Sequence, residues 1–91
     1  MRFEWDPRKA AANLAKHGVS FDEASTIFGD PLATTVMDPD RLESEERLLT
    51  TGLSERPRVL IVWHTEVDDA VRIIGARKAT PRERRTYESG E

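Results

Sequence analysis

Five consecutive apolar residues, Val59-Leu60-Ile61-Val62-Trp63, constrain this chain more than any other feature. A strand points successive side chains to opposite faces, so a run that is apolar at every position has to be covered on both. The β-branched and aromatic side chains favour an extended conformation, and the run is far too short to span a bilayer. Its cover has to come from the rest of a 91-residue chain. That length predicts a single domain, residues 1–91, around one modest core.

Two helices near the start supply part of the cover. Asp6-Pro7 reads as an N-cap followed by a proline at the first helical position. The Ala-rich stretch behind it forms helix readily. Gly18 predicts a left-handed stop, which sets the first helix at Pro7–His17 with Lys16 and His17 beside its negative end. Ser20 and Glu23 have capping-box spacing. They open a second helix, residues 21–29, that carries Phe21, Ala24, Ile27 and Phe28 on one face. Gly29-Asp30-Pro31 ends it.

Most of the remainder is extended. Residues 2–5 alternate polar and aromatic and read as a short strand. Further strands are expected over residues 32–37, 47–53, 58–65 and 71–77, with turns around residues 54–57 and 66–70. Residues 38–46 form a charged loop with five acids and one base. Thr80-Pro81-Arg82-Glu83 opens a short last helix, to about Tyr87. Two helices followed by a four-strand meander predict an α+β fold, with both helices packed on one face of an antiparallel sheet.

Charge is distributed unevenly. Between Arg72 and Arg85 six basic residues stand against one acid, a segment of +5, whereas the rest has eight basic and sixteen acidic residues, −8. A basic end on an acidic body can hold phosphate in one place without binding RNA everywhere, although an Arg-rich terminal helix can also be simply solvated. There is no cysteine, which excludes disulfides, thiolate metal sites and a thiol nucleophile. The first six residues carry two acids and no apolar stretch, unlike a secretory signal, so a cytoplasmic protein without a membrane segment is expected.

The opening Phe3-Glu4-Trp5-Asp6-Pro7 and the later Lys16-His17-Gly18-Val19-Ser20-Phe21 resemble the start of the BrnT toxins of bacterial type II toxin–antitoxin systems. So do Glu46-Arg47 ahead of Gly52-Leu53-Ser54, and His64-Thr65-Glu66. The stretch from Arg72-Ile73-Ile74-Gly75-Ala76-Arg77-Lys78 to Glu83-Arg84-Arg85 and Tyr87-Glu88 completes the likeness. It runs from Phe3 to Glu88, and departs at Gly75, where a serine is more usual. The resemblance implies a RelE-like fold and a ribonuclease that stops translation. It also implies a ribbon–helix–helix antitoxin (BrnA-like) as partner, through which the complex binds its DNA operator.

Cutting RNA without a metal needs a base for the 2′-hydroxyl, an acid for the leaving 5′-oxygen, and cations for the charge growing on phosphate. Histidine suits proton transfer and arginine suits the phosphate oxygens. If the last hairpin turns at Asp68-Asp69, Thr65 faces Arg72 and His64 faces Ile73. Arg47, Thr65 and Arg72 then line one end of a sheet face, while His64 points to the other face with Leu60 and Val62. A bulge or a one-residue slip would reverse this. The expected catalytic set is Arg47, Arg72 and Arg77 with His64 for proton transfer; Lys78, Arg82 and Arg85 are expected to hold the RNA backbone.

Each assignment has a structural counterpart. His64 can equally bond a neighbouring backbone group, His17 can cap its helix, and Arg77 can pair with an acid. Tyr87 can stack on a base or close the core, and Glu66 can be a base or a solvated turn residue. Asp38, Asp40, Glu43, Glu45 and Glu46 lack the spacing of a known cation loop. They read as a solvated loop or a landing strip for a basic antitoxin, and no metal is expected. No phosphate-binding glycine loop, dinucleotide fingerprint or HExxH occurs, so no cofactor is expected. The alternatives to a ribonuclease are a non-catalytic module that docks a DNA-binding antitoxin and a plain RNA-binding domain. The latter is disfavoured because the six aromatic residues sit mostly at core positions.

Overall fold

A computed structural model describes residues 1–39 and 46–90. Strand β1 (Arg2–Glu4) leads into helix α1 (Pro7–His17). Helix α2 (Phe21–Ser25) then tightens into a 3-10 turn over Thr26–Gly29. Four strands follow, β2 (Thr34–Met37), β3 (Leu48–Leu53), β4 (Val59–Val67) and β5 (Ala70–Lys78), and helix α3 (Pro81–Ser89) comes last.

The helix ends follow from their capping residues. Asp6 accepts from the Arg8 amide at 2.8 Å, and Gly18, at φ 70°, donates its N–H to Leu14 at 2.9 Å. Ser20 accepts from the Glu23 amide at 3.0 Å. The other half of that expected capping box is not made. The Glu23 carboxylate turns inward instead, taking the Ser54 hydroxyl at 2.7 Å and two Arg58 nitrogens at 2.7 and 2.6 Å. A buried carboxylate gains more from a guanidinium fork than from a solvent-side amide. The second helix is also shorter than residues 21–29. From Thr26 the chain tightens to 3-10 geometry, and the Thr26 hydroxyl donates to the Glu23 carbonyl at 2.6 Å. The box opening α3 is complete: Thr80 accepts from the Glu83 amide at 3.1 Å and donates its own N–H to Glu83 at 2.9 Å.

The sheet order is β1-β5-β4-β3-β2. Strands β2 to β5 form the expected antiparallel meander, but β1 pairs parallel with β5. The sheet is therefore mixed, which corrects the antiparallel expectation. From β1 the chain crosses on its two helices to the far edge, and three reversals bring β5 back beside β1, running the same way. Both helices lie on one face, where Phe21, Ala24 and Ile27 form the core with Leu60, Val62, Val71, Ile73 and Ala76. Leu60 and Val62 are fully buried and Ile61, on the second face, is almost so. The apolar run is thus a central strand covered on both sides.

Strand β5 carries a bulge. Trp63 pairs with Gly75 and His64 with Ile73, leaving Ile74 as the extra residue. Five residues separate Arg72 from Arg77, a spacing that puts side chains on opposite faces of a regular strand. The bulge puts both on the second face, with Thr65 and Trp63. Past the short β1, β5 has no strand on its outer side. Asn13 from α1 serves in its place, donating to the Ala76 carbonyl at 2.9 Å and accepting from the Ala76 amide at 3.1 Å.

Candidate active site

The strand registers assemble one row of side chains on the second face. Glu4 pairs with Arg72, and Arg72 with Thr65. Leu48 pairs with His64, so the next step along β3 brings Arg47 opposite Thr65. Asp38 fixes that end by donating its amide to the Arg47 carbonyl at 2.9 Å. Thr65 gives its hydroxyl proton to the Glu46 carbonyl at 2.8 Å. With adjacent strands about 4.8 Å apart, the backbones of Arg47 and Arg72 stand about 10 Å from each other. Beside the row opens a cleft of about 580 Å³, lined by Glu4, Glu46, Thr65, Glu66 and Arg72 among others.

Both arginines of the row meet acids. Arg72 donates to Glu4 at 2.8 Å, with the two side chains 44% and 35% exposed. Arg47 lies 4.0 Å from the buried Asp38. Partial exposure leaves both guanidiniums within reach of a further anion, and the short strand backbones beneath them set their separation.

Arg77 is built differently. It donates to both oxygens of Glu83 at 2.8 and 3.0 Å and lies over the Trp63 ring, 5.4 Å from its centre. The Arg77 guanidinium is the main reason that the Glu83 carboxyl is held down at about 2, with the Thr80 amide and hydroxyl assisting. Arg77 thus ties β5 to α3. Lys78, Arg82 and Arg85 are exposed nearby. Lys78 pairs with Leu60 and belongs to the helix-covered face, unlike Arg77. Six residues of strand separate Arg72 from Lys78, about 20 Å. The expected site residues therefore fall into two groups along β5, with Arg47 and Arg72 at one end and Arg77, Lys78, Arg82 and Arg85 at the other.

His64 is brought to neither group. Its ring lies in the core, 4% exposed, edge-on to Phe28 with ring centres 4.9 Å apart. Nε2 shares a 2.7 Å hydrogen bond with Thr50, whose hydroxyl is 2.7 Å from that of Thr35. Nδ1 is buried with no hydrogen-bond partner. Burial pushes the imidazole down from 6.5 to about 4, so it is neutral at pH 7. The bulge does not turn it outward because the extra residue sits on β5, leaving the alternation of β4 intact.

His17 is half-buried at the end of α1. Tyr87 closes the structure, its hydroxyl bonded to Asp30, which also accepts from the Leu32 and Leu53 amides at 2.9 and 2.8 Å. Of the acidic loop, Asp40, Glu43 and Glu45 lie outside the described residues. Among the described residues no three His, Asp or Glu side chains gather as a metal site, and no helix is long and apolar enough to cross a membrane. Sequence reasoning missed Glu4 and Asn13. Asn13 leaves a trace, as the one polar residue amid the alanines of α1; Glu4 leaves none, because its partner is 68 residues away.

A mixed sheet backed by two helices, with Arg47 and Arg72 spaced at one end of its second face beside a cleft, defines a small α+β protein. Residues 5–83 match the family described as "Ribonuclease toxin, BrnT, of type II toxin-antitoxin system", and the chain belongs to that family. The 1.1 Å crystal structure of the Brucella abortus ribonuclease toxin, BrnT, is similar in fold, with a TM-score of 0.64. Sequence identity is 24% over 88% of this chain and 97% of that one. No curated protein gives a significant match to the sequence.

Proposed function

We propose that this chain is an endoribonuclease toxin with a RelE-like fold. In this reading it acts in the cytoplasm, cuts RNA without a metal ion and so stops translation. A ribbon–helix–helix antitoxin of the BrnA kind neutralises it and carries the complex to its DNA operator. The observation that carries the reading is the row Arg47–Thr65–Arg72. Two guanidiniums about 10 Å apart at the backbone can converge on one phosphate and stabilise the charge that grows there, which is the largest part of such catalysis. Arg77 is a further cationic candidate along β5, its charge already offset in part by the bidentate pair with Glu83. Lys78, Arg82 and Arg85 hold the RNA backbone a few nucleotides away from the cut.

Growth after induction of the isolated gene tests the reading, together with RNA cleavage by the purified chain in the presence of a chelator. Arrested growth and chelator-resistant cleavage are expected. A second reading, a non-catalytic module that docks and tunes the antitoxin, draws on the fact that Arg72 and Arg77 already have acidic partners within the fold. Normal growth on induction, with no cleavage, would decide for it.

A further inference from the structure

The core position of His64 leaves the proposed reaction without a base, and the cleft itself supplies a candidate. We propose that Glu4 is the general base for the 2′-hydroxyl, an inference that rests on the ribonuclease reading. Three carboxylates line the cleft: Glu4, Glu46 and Glu66. Glu66 also borders the cleft, but it pairs with Val71 rather than with a residue of the row. Glu46 precedes β3 and offers its carbonyl to Thr65. Glu4 alone sits in the row, directly across from Arg72 and bonded to it at 2.8 Å, with about a third of its side chain open to the cleft.

This contact has two consequences. The guanidinium holds Glu4 beside the place where a phosphate would bind, which positions a base next to the reacting centre. It also means that the carboxylate competes with phosphate for the same cation. When RNA binds, a phosphate oxygen takes the Arg72 N–H and frees Glu4 to face the neighbouring ribose. Glu4 then accepts the proton of the 2′-hydroxyl as O2′ forms its bond to phosphorus. The bond from phosphorus to the 5′-oxygen breaks, and that oxygen takes a proton from water. The products are a 2′,3′-cyclic phosphate and a 5′-hydroxyl end. Glu4 returns its proton to the solvent, where it neutralises the hydroxide left by the leaving group.

The test separates cutting from holding. Single-turnover cleavage of a mixed-sequence RNA oligonucleotide is measured against pH for the parent chain, Glu4→Gln, Glu4→Asp and Arg72→Ala. Binding is measured separately with the 2′-O-methyl form of the oligonucleotide, which cannot be cut, and thermal melting checks each fold. Glu4→Gln should cleave on the order of 10²- to 10⁴-fold more slowly, the range of a lost general base. It should nevertheless bind the uncut analogue as tightly as the parent or more tightly. Glu4→Asp should recover part of the rate, and Arg72→Ala should lose both rate and binding. Cleavage by a folded Glu4→Gln within about threefold of the parent would overturn the proposal. So would a loss of binding equal to that of Arg72→Ala, which would make Glu4 only a support for the arginine. A parent chain that binds but does not cut refutes the ribonuclease reading, and the Glu4 proposal falls with it.

Discussion

The neutral imidazole of His64 makes stability depend on pH in a window where few other groups act. Its folded value of about 4 lies below the 6.5 of an exposed histidine, so the unfolded chain takes up the proton first as pH falls. The stabilisation is complete above pH 6.5 and is lost on the way down to about pH 4, by about 3 kcal/mol. Glu23 and Glu83 are also held down, chiefly by Arg58 and Arg77, but they begin to weaken the fold only below their ordinary 4.5. Urea midpoints at pH 7 and pH 5 should therefore differ for the parent. They should nearly coincide for His64→Gln, whose cleavage should stay near the parent's. The arginines divide in the opposite manner. Arg72→Ala should lose cleavage by a factor on the order of 10²–10³ with its fold intact, as when a donor to developing charge is removed. Arg82→Ala should cleave at a near-normal rate when saturated, bind less tightly, and lower the salt slope of binding by about one. Equal cleavage constants for the parent and Arg72→Ala would place the chemistry elsewhere.

At the scale of elements, the joint between α1 and β5 is the one most exposed to a single change. Asn13 also donates to the Val19 carbonyl at 2.9 Å, so one amide satisfies three backbone groups from two segments. Asn13→Ala should cost about 2 kcal/mol, since at least one of those groups is left buried and unpaired. Hydrogen exchange should show the Ala76 amide losing protection before the rest of β5; uniform loss along the strand would argue against a local joint. The same elements show what the sequence makes readable. Helix ends are local, so Asp6, Gly18, Ser20 and Thr80 disclose them. The two-residue turn at Asp68-Asp69 likewise fixes the pairing of Thr65 with Arg72. The bulge at Ile74 leaves no such mark, because it is settled by packing on both faces at once. The partner of Glu23 and the parallel pairing of β1 were hidden for a related reason. Arg58 and Arg72 lie 35 and 68 residues from the acids they meet, and no periodicity links them.

Across the whole molecule, charge separates by region. Residues 72–85 carry +5 and the remainder −8. A basic antitoxin should be drawn to the acidic body and find few competing sites on the basic end. Opposed potentials of this kind speed encounter more than they tighten the final complex. Mixing the chain with its antitoxin in a stopped-flow instrument should show an association rate that falls steeply between low and physiological salt, with a smaller change in dissociation. A rate indifferent to salt would exclude steering by charge. The parallel pairing of β1 with β5 has an effect on timing as well. Strand β1 is completed by β5, far along the chain, and the Glu4–Arg72 contact closes a span of 68 residues. No chain interrupted before β5 can possess the cleft, so a partial translation product carries no finished site.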